Sequence, residues 1–213
     1  MKNVTKILMA SALALATSAA FAEGESVPLT VTGSITPAAC TPSLTGGGKF
    51  EWGPIQSSTL SPTSINTLPE KELTLTVTCA APTRFGLTAT DYKEGTALGA
   101  GSDDFLAWRQ FGVGEVKGVK VGSLNLTLKN AMGDGESLIV LSNATGPAVF
   151  RDDNYIYRNG VLTAFTNADR SKNAFSSVTA TLVGSAAINR TDVLPLEESV
   201  PIDGSAVIEV KYL

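Results

Sequence analysis

Apolar and polar residues alternate along much of this 213-residue chain. Between positions 73 and 79, leucine, valine and cysteine occupy the odd positions and threonine the even ones. Val178, Ala180 and Leu182 alternate with threonine in the same way. A period of two is that of a β-strand with one buried and one solvent-facing side, and no stretch after residue 22 keeps a helical period over three turns. The pattern therefore predicts an all-β fold, built as a sandwich.

Shorter runs predict further strands, at 50–52, 85–89 and 138–141. Tyr155 and Tyr157, followed by Asn159 and Gly160, predict a β-hairpin with a primed turn. The two tyrosines would share one face of that hairpin. A shared face fits either an exposed binding patch or burial inside the sandwich, and the sequence leaves both interpretations open.

The first 22 residues are typical of a secretory signal peptide. Lys2 and Lys6 give a positive start, 7–20 is almost wholly apolar or small, and Ala20-Phe21-Ala22 is a small-x-small cleavage signal. The apolar run is shorter than the roughly 20 residues that a membrane-spanning helix needs. We therefore expect cleavage before Glu23 and export of residues 23–213.

Charge and cysteine content narrow the functional class. The net charge is −4, and it becomes −6 (−4 − 2) once the two lysines of the signal peptide are removed. An acidic chain without a basic run has no electrostatic footprint for nucleic acid or an anionic membrane. Cys40 and Cys79 are the two cysteines, and both fall in the exported part, where oxidising conditions favour a disulfide between them.

The residues that catalysis uses most often are missing. The chain has no histidine, which removes Ser-His-Asp arrangements and the commonest metal ligand. Acidic residues occur as adjacent pairs at 103–104, 152–153 and 197–198. Adjacent residues on a strand point to opposite faces, so one pair alone cannot form a catalytic carboxylate dyad. Trp52, Trp108 and Phe111 fit either a sugar platform or packing in the core and loops. We expect no catalytic residue, no cofactor and no metal site.

The exported chain begins with a strictly alternating segment, 23–36. One face carries an apolar row that a single glycine interrupts: Val27, Leu29, Val31, Gly33 and Ile35. Threonine and serine occupy the other face. Pro28 lacks a backbone donor, so the segment is not expected in the middle of its own sheet at that point. It is either the first strand of the domain or an arm that docks elsewhere.

The chain also ends in an alternating strand. Its apolar face consists of Ala206, Ile208, Val210 and the penultimate residue Tyr212, while Glu209 and Lys211 face the other way. A strand that runs to the terminus frays unless a sheet holds it. We therefore expect this strand to be an integral part of the sandwich.

Taken together, these features resemble the subunits of chaperone–usher fimbriae (pili). The shared features are the signal peptide, the alternating extension, a first cysteine just after it, a second about 40 residues on, and the C-terminal strand with its tyrosine. In more detail the chain resembles an uncharacterised family of fimbrial-like exported proteins that includes GltF-type periplasmic proteins. The segments 33–42, 73–87 and 111–128 carry that finer likeness.

The resemblance implies an immunoglobulin-like sandwich that lacks its last strand, completed by donor-strand complementation. A periplasmic chaperone, and later the extension of the next subunit, would supply the missing strand. The apolar residues of the extension would then be plugs, with Gly33 where the groove leaves no room for a side chain. Ala206 to Tyr212 would form one wall of the acceptor groove. The implied partners are the chaperone, an outer-membrane usher and other subunits, and the implied location is the periplasm or a surface fimbria.

The predicted organisation is a signal peptide at 1–22, an extension at 23–36 and a sandwich at 37–213. The main functional expectation is a non-enzymatic structural subunit. The alternative is a monomeric periplasmic or surface module that binds a carbohydrate or a protein. Such a module would keep 25–36 in its own sheet.

Overall fold

A computed structural model describes residues 28–33, 39–99, 105–143, 150–158 and 160–213. The chain divides into two compact units, Met1–Thr36 and Pro37–Leu213. In the first unit, 28–33 form neither helix nor strand, and the side chains of Leu29 and Val31 are 89% and 88% exposed. The predicted signal peptide, together with Val27 and Ile35, lies outside the described residues.

The second unit is built from strands. They are β1 (Cys40–Leu44), β2 (Asn66–Thr67), β3 (Lys71–Thr83), β4 (Phe85–Asp91), β5 (Gln110–Gly112), β6 (Glu115–Val116), β7 (Val119–Lys120), β8 (Gly122–Gly133), β9 (Glu136–Ser142), β10 (Arg151–Asp152), β11 (Tyr155–Ile156), β12 (Thr163–Asn167), β13 (Phe175–Ile188) and β14 (Ala206–Tyr212). Short 3-10 turns occupy Thr45–Gly48, Ser57–Thr59 and Phe105–Arg109. The described ranges contain no α-helix, and none of their short 3-10 helices is long and apolar enough to cross a membrane. The all-β prediction is confirmed.

The strands form a two-layered antiparallel sandwich. The first layer has the order β1-β3-β13-β8, with β2, β5 and β11 added at its margins. The second has the order β9-β12-β4-β14, with β10 beside β9. The layers are continuous through the β8–β9 hairpin, where Met132 pairs with Ser137 and Gly133 with Glu136. Strands β6 and β7 form a separate two-stranded ribbon.

Alternation puts the apolar residues of each strand between the layers. In β3, Leu75 and Val77 are buried while the threonines between them are half-buried or exposed. In β4, Phe85, Leu87 and Ala89 are buried in the same main cluster. The strands predicted at 73–79, 85–89, 138–141 and 178–182 are thereby confirmed as parts of β3, β4, β9 and β13.

The predicted disulfide is present. Cys40 and Cys79 are directly paired across β1 and β3, and their Cα atoms lie 4.0 Å apart. The bond therefore fastens the start of the first strand to a central part of the core.

The strand predicted at 50–52 is wrong. Three successive glycines with positive φ, 46–48, turn the chain away after β1, and residues 50–52 pair with no strand. Phe50 and Trp52 instead pack against each other, with ring centroids 6.1 Å apart. Trp52 donates its indole N–H to the carbonyl oxygen of Pro69 at 2.8 Å. The aromatic pair thus belongs to a loop that packs on the sandwich, and not to a strand.

The hairpin predicted around Asn159 and Gly160 is also wrong. Gly160 has the positive φ of the predicted turn, but Tyr155 and Ile156 pair with β8 and not with the residues beyond the turn. Strand β12 pairs with β9 and β4. Asn159 lies outside the described residues, and the partner of each described strand is set by the layers of the sandwich.

The β8–β9 turn is anchored by its own aspartate. The Asp134 carboxylate accepts hydrogen bonds from the backbone N–H groups of Ser176 and Ser177, at 3.0 and 2.9 Å. Burial pulls the pKa of Asp134 upward, but those two bonds and Lys172 outweigh it, so the pKa lies below its usual value. The ionised carboxylate thus ties the turn to the start of β13.

Candidate functional site

One side of the sandwich is closed by a single crossing segment. β10 pairs with β9 in the second layer, and β11 pairs with β8 in the first. Between them, Asp153 N–H donates to the Val140 carbonyl at 3.1 Å, and Leu128 N–H donates to the Asn154 carbonyl at 2.7 Å. Backbone hydrogen bonds therefore join the two layers on this side.

A partly buried polar cluster holds the crossing segment in place. The Tyr157 hydroxyl, fully buried, donates to the Asp153 carboxylate at 2.5 Å. The Arg109 Nε–H donates to the Tyr157 oxygen at 3.0 Å, and its guanidinium lies 4.0 Å from the centroid of the Tyr155 ring. Burial, with Asp153 second, raises the pKa of Tyr157 to about 12. Tyr157 therefore stays protonated and remains a hydrogen-bond donor. Of the two interpretations of this residue, an exposed binding patch or burial, the structure supports burial in the sandwich.

The two acidic residues at 152–153 form separate ion pairs and do not act together as one site. Asp152 pairs with Arg170 and Asp153 with Arg109. The two neighbours thus face different partners, as expected for adjacent strand residues. In the part of the chain that the structure describes, no three cysteine, aspartate or glutamate side chains converge as a metal site requires.

The aromatic residues divide between two places. Phe111 is buried in the main core, whereas Trp52 packs against a second cluster formed by Leu68, Ala186, Ile188 and Leu194. They therefore do not share one platform, and packing explains both. Trp108 remains partly exposed.

On the opposite side of the sandwich, none of the described strands joins the two layers by backbone pairing. Among the described strands, β1 pairs with β3 and β14 pairs with β4, and each is the last strand of its layer. The outer edge of each strand therefore presents backbone groups without a neighbouring strand.

The core-facing side of β1 is incompletely covered. Cys40, Pro42 and Leu44 lie opposite Cys79, Val77 and Leu75, all three of which are buried. Yet Cys40 and Leu44 are only half-buried and Pro42 is exposed. Since directly paired residues point to the same face, the cover is missing over β1 itself.

The core-facing side of β14 shows the same defect. Its apolar row lies opposite four buried residues of β4: Asp91, Ala89, Leu87 and Phe85. Ile208 and Val210 pack against the main core but are half-buried, Ala206 is exposed, and Tyr212 is 47% exposed. Strand β14 thus pairs with a strand whose core-facing residues are buried, while its own core-facing side chains are half-buried or exposed.

We use the name β1–β14 cleft for these two neighbouring edges, with Cys40, Pro42 and Leu44 on one strand and Ala206, Ile208, Val210 and Tyr212 on the other. Its two strands are bridged at one end, where the Cys40 N–H donates to the Tyr212 hydroxyl oxygen at 2.9 Å. Unpaired strand edges next to a half-covered apolar interior are what an added strand needs, because its backbone pairs with the edge and its alternate side chains complete the core.

The structure gathers the four predicted groove residues of the C-terminal strand on one wall of this cleft. Sequence reasoning missed Pro42 and Leu44 on the other wall. The alternation Cys-x-Pro-x-Leu at 40–44 was the signal for them, and the proline is compatible with an edge strand. Of the predicted arm residues, Leu29 and Val31 are exposed. A Cβ added at Gly33 would have no atom within 4 Å.

Comparison with known proteins finds relatives that match this chain along almost its whole length. Residues 29–125 match the family model described as "Protein of unknown function (DUF1120)". Protein GltF of Escherichia coli (strain K12) is 26% identical, over 100% of this chain and 98% of its own length. Uncharacterized protein YhcF of the same strain is 27% identical, over 99% of this chain and 100% of its own length. The chain is therefore similar along nearly its whole length to these two proteins, and over residues 29–125 to a family of unknown function.

Proposed function

We propose that the protein is a non-enzymatic, fimbrial-like structural subunit that assembles by donor-strand complementation through a chaperone–usher route. Its fold would then be an immunoglobulin-like sandwich that lacks one strand. The β1–β14 cleft carries this proposal, because two strand edges and a half-covered core occur together there.

An extended segment that entered the cleft would find two kinds of partner. The outer edge of β1 beyond Cys40, or that of β14, offers backbone donors and acceptors for a new antiparallel or parallel ladder. The half-buried Leu44, Ile208 and Val210 offer apolar surface that alternate side chains of the segment would cover. Backbone pairing supplies affinity in this mode of binding, and the side-chain plugs supply specificity.

The arm at 23–36 has the composition of such a segment. Leu29 and Val31 are exposed, so their apolar surface is available to a partner. Moving one such side chain from water into a groove stabilises the complex by about 1.5–3 kcal/mol. With Val27 and Ile35 in the same row, the arm carries four such side chains, and backbone pairing with a strand edge adds to their contribution.

The proposal assigns the remaining partners and the location by resemblance. A periplasmic chaperone would occupy the cleft first, an outer-membrane usher would receive the subunit, and the arm of a neighbouring subunit would replace the chaperone. The predicted signal peptide supports export to the periplasm, where the disulfide between Cys40 and Cys79 forms.

Deletion of residues 23–35 tests the proposal. After expression in the periplasm, the full exported chain is expected to form multimers on size-exclusion chromatography. The deleted chain is expected to elute as a monomer, with a melting temperature close to that of the full chain, because the main core is built from residues of β1 to β14.

The opposite result has a clear meaning. If the full chain is a stable monomer and the deletion unfolds it, the arm is an internal strand. The chain would then be a self-contained module, and binding of a carbohydrate or a protein would become the function to test.

A further inference from the structure

We infer that a cavity between two loops of the sandwich binds a small molecule that has an apolar body and a positively charged end. The cavity has a volume of about 620 Å³, and ligand pockets in proteins measure roughly 300–1,000 Å³. The described residues that line it are all different from those that define the β1–β14 cleft. The inference therefore goes beyond the proposed function and does not depend on it.

The lining of the cavity is mainly apolar. The loop between β1 and β2 contributes Trp52, Ile55 and Leu60, and the loop between β13 and β14 contributes Leu196 and Ile202. An apolar lining with few polar groups is typical of a site that takes up the hydrophobic part of a small ligand. The lining thus sets the first requirement, which is an apolar body.

The two loops are held in place by contacts of their own. The Thr191 N–H donates to the Ser61 carbonyl at 3.2 Å, which ties one loop to the other. The Trp52 ring is fixed by the hydrogen bond of its indole N–H. A Cβ at Gly184 would lie 3.0 Å from a ring carbon of Phe50, so glycine there lets that ring lie against β13. A cavity with fixed walls loses little conformational entropy when a ligand enters.

The charges at the cavity set the second requirement. Among the described residues that line it, the charged ones are Glu51 and Glu198, both acidic and both exposed. Neither forms an ion pair with another residue in the described part of the chain, whereas the adjacent Glu197 lies 3.5 Å from Lys117. A cationic group on a ligand would be attracted by both carboxylates and by the face of the Trp52 ring, and an anionic group would be repelled.

Three probes with the same apolar body and different charges test this inference: phenylpropylamine, phenylpropanol and phenylpropanoate. The full exported chain carries Trp108→Phe, which leaves Trp52 as the sole tryptophan. Each probe is titrated at low ionic strength, and binding is followed by Trp52 fluorescence. A second chain carries Trp52→Phe, so that Trp108, which does not line the cavity, reports any unspecific quenching.

We expect the amine to bind about three- to tenfold more tightly than the alcohol, and the carboxylate to bind more weakly than the alcohol. When Glu51→Gln and Glu198→Gln are combined, the advantage of the amine is expected to shrink to within about twofold. With Glu197→Gln, the matched control outside the lining, the advantage is expected to stay. The fluorescence of Trp108 is expected to stay unchanged with all three probes.

Three results would overturn the inference: no change in Trp52 fluorescence with any probe, equal binding of all three probes, or the same loss of selectivity in Glu197→Gln as in the double variant. Competition separates this site from arm docking. An excess of the peptide of residues 25–36 is expected to leave amine binding unchanged. Displacement of the amine by that peptide would assign the cavity to the arm, so that the inference fails while the proposed function stands.

Discussion

Changing Leu29 to aspartate is expected to abolish self-association while leaving the melting temperature of the domain unchanged. Leu29 is 89% exposed, so it contributes almost nothing to the stability of its own chain. In a docked arm the same side chain would fill an apolar part of the β1–β14 cleft. Aspartate there loses the apolar contact and brings a charge out of water, which weakens docking by at least about a hundredfold.

Thr30→Asp is the matched control for this variant. It adds the same charge one residue away, on the face that the alternation turns outward. Sedimentation velocity is expected to show multimers for the wild type and for Thr30→Asp, and monomers for Leu29→Asp. Equal association of the two variants would mean that the apolar row of the arm does not enter a groove. A lower melting temperature of Leu29→Asp alone would place the arm in its own sheet.

Loss of the disulfide is expected to cause the largest change in stability. The bond closes a loop with a sequence separation of 39 residues, for which chain entropy gives about 3–4 kcal/mol. Strand β1 has β3 as its sheet partner among the described strands, so the bond secures an edge that has only one neighbour. For the double variant Cys40→Ala, Cys79→Ala we expect the melting temperature to fall by about 6–15 °C.

The same change should weaken docking as well, because β1 is one wall of the cleft and the disulfide holds in place the backbone N–H of residue 40 that donates to the Tyr212 hydroxyl oxygen. Chemical denaturation gives the change in the free energy of unfolding, and the wild type after reduction by a thiol is the control. Reduced wild type and double variant should unfold alike. A loss below about 1 kcal/mol would show that the paired strands hold β1 without the bond.

The long strands were predictable from the sequence because each carries its own signal. In β3 and β13, buried aliphatic residues alternate with threonines, and a strand with one buried side has little choice of register. The C-terminal strand was equally clear, since Ile208 and Val210 sit in one row. The fold class followed from these elements.

What could not be predicted depends on contacts distant in sequence. Strands β10 and β11 are only two residues long, and their pairing across the two layers leaves no periodic trace. The turn signal at Asn159 and Gly160 therefore pointed to a hairpin that does not form. The second wall of the cleft was missed for a related reason. The exposure of Pro42 follows from the pairing of β1 with β3 and from its position at the edge of the sheet that the described strands form.

Amide hydrogen exchange tests most directly whether the β1–β14 cleft accepts an added strand. The full exported chain is incubated with an excess of the peptide of residues 25–36, or with the same peptide carrying Leu29→Asp, and exchange is mapped by mass spectrometry. The unchanged peptide is predicted to slow exchange in Cys40–Leu44 and Ala206–Tyr212, since the free strand edges then gain a partner. Unchanged exchange in both segments, or protection that maps to other strands, would contradict the account.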